Sequence, residues 1–107
     1  MKAQTWITTI DGFEVVLSIA VNDSGQPVNV TLQAGTIGSQ LRAMGECLAK
    51  VLSMLLAAGV PPETLGHALE HRSFAPSGLT GDPDTPSCSS VADLIASKLA
   101  SYGAVSS

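Results

Sequence analysis

The chain has 107 residues, of which 45% are hydrophobic and only 13% charged, and its net charge is −4. That length builds a single domain, residues 1–107, with an ordered core expected over about 4–102. Its five Lys and Arg are scattered without a basic cluster, which speaks against a DNA or RNA duplex as partner and against a basic amphipathic helix lying on a membrane. No apolar run approaches the roughly 20 residues of a membrane span, and the N-terminus runs straight into a strand-like pattern without a signal-peptide profile. Charge this sparse on a small domain leads us to expect a homo-oligomer that hides part of its surface. Cys47 and Cys88 lack CxxC spacing and any histidine partner at metal-ligand spacing, so reduced thiols in a cytoplasmic protein are expected.

In chain order, Gln4–Ile10 reads as a strand rich in Thr, Ile and Trp. Asp11-Gly12 is the dipeptide favoured in a two-residue type I′ hairpin. Phe13–Val21 follows as a second strand, with Phe13, Val15, Leu17, Ile19 and Val21 on one face. The hairpin fixes a register: Ile10 opposite Phe13, Thr8 opposite Val15, Trp6 opposite Leu17. The other face, with Thr5, Ile7, Thr9, Glu14, Val16 and Ser18, is mixed. A turn at Asn22–Pro27 leads to a third strand marked by Val28, Val30 and Leu32.

Gly35-Thr36-Ile37-Gly38 then feeds a long helix over about Ser39–Ala58, capped by Ser39. Leu41, Met44, Leu48, Val51, Leu52, Leu55 and Leu56 follow the spacing of one buried stripe. Gly45 inside it costs about 1 kcal/mol relative to Ala, which close approach of a strand or helix would explain. Gly59 is placed as the C′ residue, and Pro61-Pro62-Glu63 opens a short second helix ending near His71. Leu65, Ala68 and Leu69 form its apolar edge. Arg72–Pro86 reads as a long loop in which Pro76, Pro83 and Pro86 forbid regular structure. Ser90–Asp93 resembles a capping box and starts a last helix bearing Val91, Leu94, Ile95, Leu99 and Tyr102. Gly103 is expected to end it. The fold class is α+β: a three-stranded antiparallel meander, a long helix, a short helix, a long loop and a C-terminal helix.

Little in the chain suggests catalysis. GxSxG is absent, the carboxylates show no paired spacing, and His67 and His71 lie four apart on a short helix without a third ligand. Cys47 reads as a packing residue. Cys88 lies before a helix N-terminus, where a dipole lowers a thiol pKa, but it has no visible base. No catalytic residue, metal or cofactor is therefore expected. The strand-to-helix junction is the better candidate. Gly35 and Gly38 allow close approach of a ligand, Thr36 and Ser39 add hydroxyls at a helix start that favours anions, and Arg42 is placed to reach back over the first turn. A second group, Arg72 and Phe74 on the long loop, suits a phosphate and a base, with Ser87 and Cys88 as further contacts. Each group has a plain alternative: a turn that redirects the chain, and a solvated loop with Phe74 in the core.

The succession of meander, glycine turn, Gln40-Leu41-Arg42-Ala43-Met44-Gly45, leucine-rich helix ending Ala58-Gly59-Val60-Pro61-Pro62-Glu63, and Ser87-Cys88 before a final helix resembles the TSCPD domain. That domain occurs at the C-terminus of adenosylcobalamin-dependent ribonucleotide reductases and in small stand-alone proteins. The likeness extends from about Thr5 to Tyr102, and the name motif survives as Thr85-Pro86-Ser87-Cys88, with Asp93 following later. Where the family places cysteines, this chain has Ile7–Ile10, Gly35–Gly38 and Arg72–Pro76, so the likeness implies a scaffold without clustered-cysteine chemistry. The residues favour a non-enzymatic, oligomeric binder of a small phosphate-bearing ligand, sequestering a linear or cyclic nucleotide. The alternative is a protein–protein adaptor or accessory module of a ribonucleotide reductase.

Overall fold

The computed structural model describes residues 2–35, 38–73 and 77–106. Strands β1 (Lys2–Ile10), β2 (Phe13–Val21) and β3 (Pro27–Ala34) form an antiparallel sheet in the order β1-β2-β3. Asp11 and Gly12 have φ of 48° and 82°, so the β1–β2 turn is the primed type whose twist matches the strands. The pairing follows: Ile10 faces Phe13, Thr8 faces Val15 and Trp6 faces Leu17. Val15, Leu17, Ile19, Val30, Leu32 and Ala34 all point to one face and are buried there. The Asn22 carboxamide oxygen accepts from the Ser24 and Gln26 amides and tightens the β2–β3 turn.

Helix α1 (Gln40–Ala57) starts at Ser39, whose hydroxyl accepts the Arg42 amide at 3.1 Å. The buried face of α1 differs from the expected stripe. Gly45, Ala49, Leu52 and Leu56 are buried, whereas Met44, Val51 and Leu55 are exposed. The reason is steric. A Cβ on Gly45 would lie 3.1 Å from Leu32 Cδ2, so the small residues let the helix sink onto β3, and bulk goes elsewhere. Ser53 fixes the contact: its hydroxyl accepts the Val30 amide at 2.8 Å and lies 2.9 Å from the Val30 and Ala49 carbonyls. It also occupies part of the outer edge of β3. At the C-terminus, Gly59 (φ 95°) donates to the Leu56 carbonyl and Val60 to that of Leu55, the paired bonds of a Schellman turn.

Helix α2 (Pro62–Leu69) turns back against α3 (Val91–Ser106), with Gly66 at the close approach to Ala96. In α2, Leu65 is buried as expected but Ala68 is exposed. Helix α3 continues past Gly103 to Ser106; glycine weakens a helix without obliging it to stop. Its buried residues Leu94, Ile95 and Leu99 complete the core beside α1. The Arg72–Pro86 stretch is not wholly irregular. Strand β4 (Gly78–Leu79) pairs antiparallel with β5 (Ser87–Cys88), and the Asp11 and Gly81 amides donate to the Leu79 and Thr9 carbonyls, so this ribbon leans on the end of β1.

One ion pair ties the ribbon to the core. Lys98, only 5% exposed, donates to Asp82 Oδ2 at 2.6 Å, and its Nζ lies 5.4 Å from the centre of the Trp6 ring. The Lys98 hydrogen bond holds the Asp82 carboxyl below the usual carboxylate range, against the opposing pull of burial. A carboxyl with a lowered folded pKa stabilises the fold above its unfolded pKa of about 3.9, and loses that stability as pH falls through the folded value. Asp82→Asn is expected to cost about 2 kcal/mol at pH 7. Urea unfolding at neutral pH and near pH 3 checks this, since the gap between wild type and variant should narrow in acid.

Candidate functional site

A groove of about 800 Å³ lies between α1, the end of α2 and the start of α3. One wall comes from α1: Gln40, Leu41, Met44, Gly45 and Leu48. The other carries Ala68, Leu69, Arg72, Ser73, Val91 and Ala92. It exists because α1 sinks onto β3 through Gly45 while α2 packs on α3, leaving a gap between the two units. Its lining is apolar apart from Gln40, Arg72 and Ser73. The Arg72 Nε donates to the Ala68 carbonyl at 3.0 Å, closing the end of α2.

Of the residues singled out at the strand-to-helix junction, Gly35, Gly38, Ser39 and Arg42 do not line this groove. Gly35 (φ 79°) and Gly38 (φ 87°) turn the chain in left-handed conformations, and the Gly35 amide bonds to the Glu14 carbonyl. The Ser39 hydroxyl is committed to its cap. Arg42 turns inward: Nη1 lies 3.5 Å from the Gly35 carbonyl and Nε 3.8 Å from Glu46 Oε2. Thr36 and Phe74 lie outside the described residues.

Ser87 and Cys88 line a second, polar hollow of about 460 Å³ with His71, Ser73, Ser77, Gly78, Ser89 and Asp93. Ser73 borders both hollow and groove, so Arg72 and Ser87/Cys88 are neighbours across it, while the Arg42 corner stands apart. Asp93 organises this hollow. Ser90 caps α3 through the Asp93 amide, but the Asp93 carboxylate does not complete a capping box. It accepts the His71 amide at 2.7 Å and the Ser89 amide at 2.9 Å. His71 takes φ 60° there, a backbone angle rare outside glycine. The spacing of Ser90 and Asp93 revealed the cap but not the tie to His71. His67 pairs with Glu70 at 3.2 Å on the surface, and among the described residues no three His, Cys, Asp or Glu converge as for a metal ion.

Among the described residues no helix covers the outer face of the sheet. Ile7 on the edge strand β1 is 75% exposed and faces Val16 of the central strand, flanked by the hydrogen-bonded pair Thr5 and Ser18 at 2.7 Å. Among the described residues no helix is long and apolar enough to cross a membrane.

A family model, that of the TSCPD domain, matches residues 2–103. The vitamin B12-dependent ribonucleotide reductase of Streptantibioticus cattleyicolor is 37% identical over 71 residues, 66% of this chain and 12% of that protein. The enzyme of the same name from Rhodopirellula baltica is 28% identical over 88 residues, 82% of this chain and 8% of that protein. The chain thus spans about a tenth of the length of these relatives. No solved structure matches it.

The two thiols differ from the sequence expectation. Cys47 is exposed on α1 rather than packed, because the buried face lies on Gly45 and Ala49. Cys88 is buried, and burial followed by the nearby Asp93 charge pushes its thiol pKa up, despite the α3 N-terminus. Thiolate is the reactive form, so titration of the native protein with a chromogenic disulfide should show one fast thiol. The fast phase should vanish in Cys47→Ser and persist in Cys88→Ser.

Proposed function

We propose that this chain, which belongs to the TSCPD domain family, is a non-catalytic accessory module that docks on a ribonucleotide reductase. The support is a pair of facts about one surface. The relatives that share this domain are reductases roughly ten times longer than the match, in which a small domain has neighbours to pack against. Among the described residues no helix covers the outer side of this sheet, where exposed Ile7 faces half-buried Val16. Glu14 is the one acidic or basic residue of the outward-facing strand positions, so the face approaches a protein surface with little charge to desolvate. The nucleotide-holding alternative has weaker support. The Ser39 hydroxyl caps its own helix, the Arg42 guanidinium lies toward the Gly35 carbonyl and Glu46 with its Nε buried and not hydrogen-bonded, and Ser87 and Cys88 lie in a different hollow.

The deciding experiment is capture of a purified vitamin B12-dependent ribonucleotide reductase on the immobilised protein, beside calorimetric titration with linear and cyclic nucleotides. The expected result is capture that falls at least tenfold in an Ile7→Glu/Val16→Glu variant, with no nucleotide heat. Saturating nucleotide binding without reductase capture would overturn the proposal.

A further inference from the structure

Helix α1 carries more apolar surface than its own fold uses. Beside the buried line Gly45–Ala49–Leu52–Leu56 runs a second: Leu41 and Leu48, half-buried against the core, with Met44, Val51 and Leu55. The two lie about 100° apart round the helix. Met44 is 64% exposed and Val51 53%, with Leu55 also exposed. The second line has the alternating three- and four-residue spacing of a coiled-coil seam, which asks for another helix.

We propose that the occupant is α1 of a second copy, antiparallel across a two-fold axis near Leu48. Three observations favour a copy of this chain. The seam reads nearly alike in both directions about Leu48: antiparallel pairing sets Leu41 against Leu55 and Met44 against Val51, large apolar side chain on large apolar side chain. The flank that stays open beside it is Cys47 and Met54, both exposed and uncharged. The charges of α1, Arg42, Glu46 and Lys50, lie on the opposite side, toward the outer edge of β3, where Glu46 and Lys50 border the strand. Two identical helices therefore meet without burying a charge or opposing like charges. In this arrangement the partner helix lies along the mouth of the groove, the two Cys47 thiols approach one another on the open flank, and the outer sheet face stays free.

Sedimentation of the purified chain from low to high micromolar concentration tests this. A dimer is expected whose dissociation constant rises at least tenfold in Met44→Glu/Val51→Glu. These positions are exposed in the single chain, so an unchanged circular dichroism spectrum separates lost pairing from lost folding. A short bismaleimide should link two chains in the wild type and fail in Cys47→Ser. A monomer throughout the range would overturn the proposal, as would a dimer that ignores the α1 changes but dissociates with Ile7→Glu.

Discussion

The approach of α1 to β3 at Gly45 and Leu32 governs this molecule. A side chain at position 45 would meet the Leu32 methyl at 3.1 Å, so the helix sits lower on the sheet than a leucine-rich face would permit. Ser53 locks the same contact by taking the Val30 amide, an otherwise unpaired edge donor. Because Gly45 and Ala49 make the close part of this contact, with Leu52 and Leu56 buried beyond them, Met44, Val51 and Leu55 are left over and exposed. The fold and the unused apolar surface have one origin.

The other half of the molecule is held by polar ties. The Schellman turn at Gly59 and the two prolines send α2 back onto α3. Asp93 binds the chain after α2 to the start of α3 through the His71 and Ser89 amides. Lys98 joins α3 to the ribbon at Asp82 and to β1 at Trp6, and the Tyr102 hydroxyl donates to the Gln4 side chain at 3.2 Å. Lys98 and Tyr102 thus tie α3 to β1, while α1 lies along β3. The groove is the interval between two units that each satisfy their own contacts.

The meander was legible in the sequence because turn chemistry and alternation are local: Asp11-Gly12 alone set the β1–β2 register. The caps at Ser39, Gly59 and Ser90 were legible for the same reason. The buried face of α1 was not. A hydrophobic pattern counts leucines, whereas the fold chose Gly45 and Ala49 for closeness, and only the partner strand reveals that choice. The Asp82–Lys98 pair escaped because its members are 16 residues apart in a stretch whose prolines suggest a plain loop. The junction glycines turn the chain as their composition suggested, but the inward course of Arg42 depends on the Gly35 carbonyl, which no spacing rule points to.

The central claim is that closeness at Gly45 sets how deeply α1 sits on β3, with Leu52 and Leu56 as the buried leucines of that face. A double-mutant cycle in denaturant unfolding tests it directly. Gly45→Val should destabilise by about 2 kcal/mol through overpacking, and Leu32→Ala should recover part of that loss, giving a coupling of opposite sign to the single changes. Strictly additive effects, or a stabilising Gly45→Val, would contradict the account.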